Sequence, residues 1–352
     1  MSELICEVIE IKDLETHSNA DSLLITHIYS FPCIVKRGEI QVADKAVYFP
    51  VEACLPDKPL FSFMWKGKEN PTDKNRTIRA LRLRGVFSMG LVMSLNKLAE
   101  AYPEINFNEL QVGQNVAELL GVTKYEEPEP ICMNGDNEST PEWFIKYTDI
   151  QNLRKYNDLF IPGEGVVITE KIHGCCSRYI YRDNKFYIGS HNNTKKLGGN
   201  DVWNVVAKKL NLEEMCKEYQ DLIFFGEVYG QVQKGYSYGF KNDVSFILFD
   251  IYDINQGKFL SYNEFLTIAV EVREKYLIKQ VPVLYCGPWT SFEKFEEMAD
   301  GTSMEAEANK KELHNREGFV IRLFRERYND EIGRVVLKLH GQDYLVGSKR
   351  EK

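Results

Sequence analysis

The sequence ITEKIHGCCSR, residues 168–178, places a lysine between two short apolar runs. The preceding GVVIT (165–169) has the β-branched composition of a buried strand, and Lys171 follows it together with His173 and Gly174. A lysine is normally directed to solvent, because burying an unpaired ammonium group is costly. One explanation of its position is that the amine of Lys171 is a nucleophile.

The length and composition indicate a globular protein with more than one domain. The chain has 352 residues, of which 43% are hydrophobic and 12% aromatic, and this exceeds the size at which single cores stop growing. No segment approaches the ~20 apolar residues of a membrane span, and the N-terminus lacks signal or transit features. We therefore expect an intracellular protein, cytoplasmic by default, without a membrane partner. The eight scattered cysteines predict neither a disulfide framework nor structural zinc.

The pattern of apolar segments predicts an α+β protein in three parts. Residues 1–124 contain short alternating runs between turn signals, which favour a small OB-like β-barrel. Residues 125–143 are acidic and contain prolines, as is typical of a linker. Residues 144–352 mix strands with helical patterns at 201–219 and 261–276.

One basic segment stands out in a chain of net charge −8. The overall charge argues against nonspecific coating of nucleic acid, but residues 66–85 hold seven Lys or Arg against two acids. This segment is either a solvated loop beside an amphipathic strand or an edge that contacts phosphates. In the second case Arg79, Arg82 and Arg84 would lie near one face if the strand alternates.

Polar residues recur inside the apolar runs of the second domain. They occur in IGSHN (188–192), FFGEVYG (224–230), SFILFDIY (245–252), REGFVIR (316–322) and VVLKLHG (335–341). Because an unpaired buried charge is expensive, we expect Glu227, Asp250, Glu317, Lys171 and Lys338 to converge on one another or on a ligand.

In this order, the elements KxHG, GE, FD, EGxVI and a final strand with lysine resemble the covalent nucleotidyltransferases, the superfamily of ATP-dependent ligases and mRNA capping enzymes. With an OB-like domain placed first and histidine at the third position of KxHG, the chain is similar to the fifth family of ATP-dependent RNA ligases. The resemblance implies an N-terminal OB-like β-barrel followed by a mixed α+β nucleotidyltransferase (adenylyltransferase, ATP-grasp-like ligase) domain. It also implies ATP and Mg²⁺ or Mn²⁺ as cofactors. The implied partner is RNA with 5′-phosphate and 3′-OH ends, in a nicked duplex, and no obligate protein partner is evident.

The resemblance further implies roles for individual residues. Lys171 would be the nucleophile that attacks the α-phosphorus of ATP, and Lys338 would neutralise the α-phosphate. An ordinary lysine pKa of about 10.4 leaves almost no neutral amine at pH 7, so we expect burial, Lys338 or a metal to lower the pKa of Lys171.

The implied nucleotide-binding residues are Glu170, His173, Gly174, Arg178, Glu227, Phe249, Glu317 and Lys338. Glu227 and Glu317 would hold the metal directly or through water, and Ser190, His191 and Asn192 would contact nucleic acid, as would Arg79, Arg82 and Arg84.

Some features depart from the family pattern and leave alternatives open. Many relatives have two lysines in the final motif, whereas here Val336 and His340 flank Lys338, so His340 would take the second role. A DNA ligase or a capping enzyme would share the lysine chemistry but usually carries its OB domain after the catalytic domain. A non-catalytic nucleic-acid-binding protein on a decayed ligase scaffold is the alternative of a different class. A tRNA-binding protein, suggested by NADSLLITHI (19–28), would leave residues 145–352 unexplained.

Overall fold

The computed structural model describes residues 4–126, 131–232, 235–309 and 313–347. The chain divides into two compact units, one of Met1–Glu127 with Leu345–Lys352 and one of Pro128–Tyr344. Within the described ranges, no helix combines the length and the hydropathy that crossing a membrane requires. The domain limits drawn from the sequence stay a prediction.

The first unit is built mainly from short antiparallel strands. They are β1 (Glu7–Glu10), β2 (Glu15–Thr16), β3 (Leu23–Ile28), β4 (Phe31–Lys36), β5 (Lys45–Phe49), β6 (Ala53–Cys54), β7 (Leu81–Leu83), β8 (Val86–Ser88), β9 (Leu91–Ser94) and β10 (Thr123–Lys124), with helices α1 (Asp73–Arg76) and α2 (Leu95–Ala101). They pair as β1-β5-β9, β2-β3-β4, β7-β8 and β6-β10. In β3 every second residue is buried, so the alternating sequence directs Leu24 and Ile28 into the core.

The second unit carries two larger sheets. Its strands are β11 (Asn137–Glu138), β12 (Gln151–Asn152), β13 (Gly165–Lys171), β14 (Gly174–Arg182), β15 (Lys185–Ser190), β16 (Thr194–Lys195), β17 (Leu222–Gly230), β18 (Val244–Asp253), β19 (Lys258–Phe259), β20 (Lys279–Gln280), β21 (Val283–Pro288), β22 (Gly318–Leu323), β23 (Tyr328–Asn329), β24 (Gly333–Arg334) and β25 (Val336–His340). The eight-stranded sheet has the order β11-β16-β15-β14-β17-β18-β19, with β20 also paired to β18, and the five-stranded sheet has the order β12-β25-β22-β13-β21.

Helices of the second unit pack against these sheets. They are α3 (Leu153–Tyr156), α4 (Val202–Lys209), α5 (Leu212–Glu218), α6 (Tyr262–Tyr276), α7 (Phe292–Glu296) and α8 (Met304–Asn309). Helix α9 (Gln342–Val346) follows β25, and its last two residues are assigned to the first unit. The predicted helix at 261–276 is confirmed, and Ser261 and Glu264 form a capping box at its start. The helical pattern at 201–219 corresponds to two helices, α4 and α5. Asn211 is left-handed, with φ of 53°, and this conformation separates α4 from α5.

Part of the segment that the sequence assigned to a linker belongs to the second unit. β11 pairs with β16 at the edge of the eight-stranded sheet. Met133 is buried in the core that this sheet shares with α4 and α5. The acidic and proline-rich composition does not predict these contacts, because the edge strand has two residues and carries no apolar pattern.

Candidate active site

Lys171 is the last residue of β13 and lies beside a carboxylate. Its Nζ donates a hydrogen bond of 2.8 Å to Oε1 of Glu317. The register of the five-stranded sheet explains the contact, because Lys171 pairs with Gly318 and Glu317 directly precedes this residue on β22. The lysine keeps about a quarter of its side chain exposed, at 24%, whereas Glu317 keeps 7%. Lys171 is therefore partly exposed, while its partner is buried.

Two carboxylates control the charge of this lysine. Burial acts to lower the pKa of Lys171, but the charges of Glu317 and Glu227 outweigh burial and raise it. The pKa of Glu317 is held well below its usual value because Lys171 and the nearby histidines overcome the effect of burial. The expectation of a lowered lysine pKa is therefore wrong for the protein without ligands. In this state Lys171 is an ammonium paired to an ionised Glu317.

Glu227 has the opposite electrostatic character. It lies on β17, opposite Cys176 of β14, and is half-buried. Burial raises its pKa to about 8; Lys171 acts to lower the pKa and Glu317 acts to raise it further. Glu227 therefore keeps its proton at neutral pH until further positive charge arrives nearby.

The two carboxylates have the donor atoms that a hard divalent cation needs. Oε2 of Glu317 is buried and makes no hydrogen bond to a described residue, and a carboxylate oxygen is a preferred ligand of Mg²⁺ and Mn²⁺. Glu227 adds a second carboxyl group. It loses its proton at neutral pH only if a cation balances the negative charge that results. These residues fit a metal ion beside Lys171.

His173 and Gly174 follow the lysine and fix the next strand. The backbone N–H of His173 donates to the hydroxyl of Tyr238 at 2.8 Å, and its Nδ1 lies 3.7 Å from Oε2 of Glu317. A Cβ on Gly174 would lie 2.2 Å from the carbonyl oxygen of Val228. The glycine is thus required by the close approach of β14 and β17, whatever its part in nucleotide binding.

Lys338 and His340 stand two residues apart on β25. His340 pairs with Gly318, and its Nε2 lies 3.4 Å from Oε1 of Glu317. Burial lowers the pKa of His340 against the opposing effect of Glu317, and the charges of Lys171 and Lys338 lower it further. The position in which many relatives carry a second lysine is therefore occupied here by an imidazole that contacts the central carboxylate.

Glu170 faces away from this cluster. Neighbouring residues of a strand point to opposite faces, and Oε2 of Glu170 accepts hydrogen bonds from the backbone N–H groups of Met304 (2.8 Å) and Glu305 (3.4 Å). Burial raises the pKa of this carboxyl group. The side chain of Glu170 thus holds the start of α8, and nucleotide binding through its backbone stays a prediction.

Phe249 lies at a β-bulge. The register between β17 and β18 shifts between Phe225 and Gly226, which leaves Phe249 as the extra residue. Its half-buried ring packs against Tyr147, with centroids 4.8 Å apart. A role in stacking on adenine stays a prediction.

Asp250 does not converge on Lys171, contrary to expectation. It is fully buried and accepts hydrogen bonds from Arg322 (3.0 Å), Arg334 (2.6 Å) and the hydroxyl of Tyr147 (2.8 Å). Arg322 and Arg334 also bind Glu326, so two arginines and two acids form one network between strands of the two sheets. Neither arginine was predicted from the sequence, although a buried aspartate requires such partners.

Arg178 is held in the protein interior. It is 1% exposed, its Nη1 donates to the carbonyl oxygen of Phe144 at 2.6 Å, and its guanidinium lies 4.3 Å from the centroid of the Phe144 ring. Burial lowers its pKa to about 10. The structure gives Arg178 a packing role, and nucleotide binding by this residue stays a prediction.

The predicted nucleic-acid residues of the second unit lie at the end of β15 and in the turn that follows it. Ser190 bonds with the backbone of Asn193, His191 lies 3.3 Å from Asp149, and Asn192 accepts a hydrogen bond from Lys146. The structure shows no contact of these side chains with Lys171 or Glu317 among its described residues. Their role stays a prediction.

The three arginines of the first unit do not share an alternating strand face. β7 ends at Leu83, and Arg84 with Gly85 forms the turn to β8, with Arg84 at a φ of 47°. Arg84 is exposed, whereas Arg82 lies over the ring of Phe87 and Arg79 donates to the carbonyl oxygen of Lys74. The two-residue turn, which the sequence analysis did not anticipate, removes Arg84 from the strand.

Comparisons with known proteins agree with this geometry. A family model described as RNA ligase matches residues 164–340, half of the chain, and a model of an OB-fold domain matches residues 5–95. No curated protein matches the sequence significantly. The two family-model matches confirm the resemblance to RNA ligases.

Solved structures show the same fold. The chain is similar to Naegleria gruberi RNA ligase with PPi (23% identity, TM-score 0.81, 98% of each chain covered). It is also similar to a lysine-to-alanine mutant of that enzyme with ATP and Mn (23%, 0.81, 97% of this chain and 98% of the other) and to a glutamate-to-alanine mutant with AMP and Mn (22%, 0.80, 97% and 98%). The predicted α+β fold, with an OB-fold domain before a nucleotidyltransferase-like domain, is confirmed.

Proposed function

Because this chain belongs to the RNA ligase family, we propose that it is an ATP-dependent ligase that seals nicks in duplexes with RNA on the 3′-OH side. The reaction joins a 3′-OH end to a 5′-phosphate end through a lysyl-AMP and an adenylated 5′ end. The observation that carries the proposal is the contact between Lys171 and Glu317, with Glu227, His340 and Lys338 around it.

Lys171 performs the first step. Its neutral amine attacks the α-phosphorus of ATP, a phosphorus–nitrogen bond forms, and pyrophosphate leaves. The amine must first lose the proton that the ionised Glu317 holds in place. Lys338 neutralises the charge that develops on the α-phosphate.

Glu227 and Glu317 hold the divalent metal. The Naegleria gruberi enzyme has been solved with ATP and Mn, which supports both cofactors here. When bound, the cation supplies positive charge that offsets the two carboxylates beside Lys171 and the phosphates of ATP.

The second and third steps transfer AMP to the RNA and then release it. The 5′-phosphate oxygen attacks the lysyl-AMP phosphorus, which frees Lys171 and creates a 5′-5′ pyrophosphate end. The 3′-OH then attacks the RNA 5′-phosphate, and AMP leaves. A phosphate monoester has no good leaving group, and adenylation supplies one, so the residues of the site provide mainly positioning and charge neutralisation.

Binding of the RNA ends is assigned to Arg79, Arg82 and Arg84 of the first unit and to Ser190, His191 and Asn192 of the second. Arg84 is the best placed of the arginines, because it lies at the exposed turn between β7 and β8. Such contacts would be mainly to phosphates and would weaken with salt.

Sealing of a defined nick tests the proposal. The purified protein is given ATP, Mg²⁺ or Mn²⁺, and a nicked duplex whose 3′-OH strand ends in either RNA or DNA, with a labelled 5′-phosphate strand. We expect a joined product with RNA on the 3′-OH side, and none when the 5′-phosphate is replaced by 5′-OH. Binding of the duplex without joining of any of these ends would contradict the proposal and favour a non-catalytic protein on a ligase scaffold.

A further inference from the structure

Tyr344 reaches the proposed site from beyond the last sequence motif. It lies in α9, directly after β25, and its hydroxyl is 3.1 Å from Nδ1 of His173. Its ring lies nearly parallel to that of His340, at 19° with centroids 5.8 Å apart. A single tyrosine therefore touches both histidines that flank Glu317.

The hydroxyl of Tyr344 can satisfy the imidazole of His173 in either tautomer. A tyrosine hydroxyl both donates and accepts, and Nδ1 carries either a lone pair or a proton. Burial and the charge of Glu317 raise the pKa of Tyr344, so the hydroxyl keeps its proton at neutral pH. Nδ1 of His173 thus has a partner at 3.1 Å, closer than Oε2 of Glu317 at 3.7 Å.

The hydroxyl of Tyr344 influences Oε2 of Glu317, the carboxylate oxygen that does not bind Lys171. Oε1 of this carboxylate accepts from Lys171 at 2.8 Å, whereas Oε2 is buried without a hydrogen bond to a described residue. If the hydroxyl of Tyr344 were absent, His173 would be free to turn its Nδ1 toward Oε2. The tyrosine therefore competes with Oε2 for Nδ1 and holds the imidazole in place.

We infer that Tyr344 is a positioning residue that holds His173 and leaves Oε2 of Glu317 available to a divalent cation. The inference rests on the proposed function only in that this cation serves adenylation of Lys171. Hydrogen-bonding partners of a metal site that do not bind the metal themselves commonly change its affinity by about 10- to 100-fold.

The variant Tyr344→Phe tests the inference, because it removes the hydroxyl and keeps the ring. Binding of Mn²⁺ without nucleotide is measured by electron paramagnetic resonance, and adenylation of Lys171 is measured in single turnovers. We expect Mn²⁺ affinity to fall about 10- to 100-fold. The adenylation rate at saturating ATP should fall as well, while the ATP concentration for half-maximal rate changes little.

The control is Tyr219→Phe. The hydroxyl of Tyr219 donates to Glu271 at 3.0 Å; Tyr219 is half-buried, directly follows α5 and takes no part in the proposed site. It should leave Mn²⁺ affinity and adenylation unchanged. In a His173→Ala background, Tyr344→Phe should have no further effect on Mn²⁺ affinity, because the tyrosine acts through the histidine.

Unchanged Mn²⁺ affinity in Tyr344→Phe would overturn the inference, as would an undiminished loss in the His173→Ala background. A native protein that binds Mn²⁺ but never forms a lysyl-AMP would instead overturn the proposed function. The Mn²⁺ measurement would then still decide the role of Tyr344.

Discussion

Nζ of Lys171 lies 2.8 Å from Oε1 of Glu317, so a buried carboxylate keeps the candidate nucleophile in its protonated, ammonium form. The pair is stable without ligands, since each partner favours the charged form of the other. Loss of the proton from Lys171 therefore requires another positive charge that neutralises the carboxylate of Glu317. The divalent cation in the proposed mechanism supplies that charge.

Replacing the nucleophile should separate the steps of ligation. Lys171→Ala should abolish joining of a 5′-phosphate strand with ATP, because no lysyl-AMP forms, but should retain part of the joining of a strand that is already adenylated. Gel electrophoresis of both reactions measures this. Loss of both activities in a protein with a native melting curve would show that Lys171 has a structural role.

Glu227 should make the metal-free protein less stable as pH rises. Burial raises its folded-state pKa to about 8, whereas an unfolded glutamate titrates near 4.3. Between these values the unfolded chain has released a proton that the folded protein retains, so stability falls as pH rises through this window. Glu227→Gln removes the effect. In EDTA at pH 8 we expect the melting temperature of Glu227→Gln to exceed that of the native protein. The difference should be about 2–4 °C for each kcal/mol of stability recovered, and it should be smaller at pH 5. A gap independent of pH would contradict the assigned pKa.

Asp250 should be important for stability. Its removal in Asp250→Ala leaves Glu326 as the one acid that pairs with Arg322 and Arg334 among the residues that the structure describes, and breaking a buried pair in this way costs about 3–5 kcal/mol. Urea unfolding measures the loss. Asp243→Ala, which removes an exposed ion pair with Lys209, serves as the control and should have a much smaller effect. Equal effects of the two variants would mean that the buried network contributes little.

Arg84 should contribute to binding of the nicked duplex through phosphate contact. Arg84→Gln should weaken binding and reduce the slope of log affinity against log salt by about 1. Arg273→Ala, at an exposed position on α6, should leave both quantities unchanged. An unaltered salt dependence in Arg84→Gln would place the RNA elsewhere.

The sequence predicted the central cluster because its chemistry is unusual for strands. Lys171, Glu227 and Glu317 lie in apolar runs, and buried charges must find partners. That argument identified residues that contact or influence one another. It did not state which charges pair, so Asp250 was placed with Lys171 although it binds two arginines.

The remaining errors arise from local backbone shifts that the apolar pattern does not reveal. A bulge at Phe249 and a two-residue turn at Arg84 each change the direction of the side chains around them. Asn211 separates two helices through a left-handed conformation that asparagine tolerates but does not require. Tyr344 lies beyond the motifs, and only the fold brings it to His173.

The most direct test of the account is to identify the residue that becomes adenylated. The protein is incubated with α-labelled ATP or, separately, α-labelled GTP, together with Mg²⁺ or Mn²⁺, then denatured, and any covalent label is mapped by peptide analysis. We predict an acid-labile AMP adduct on Lys171. A GMP adduct, an adduct on another lysine, or no adduct in a folded protein with either metal would contradict the assignment of Lys171 as the nucleophile of an ATP-dependent ligase.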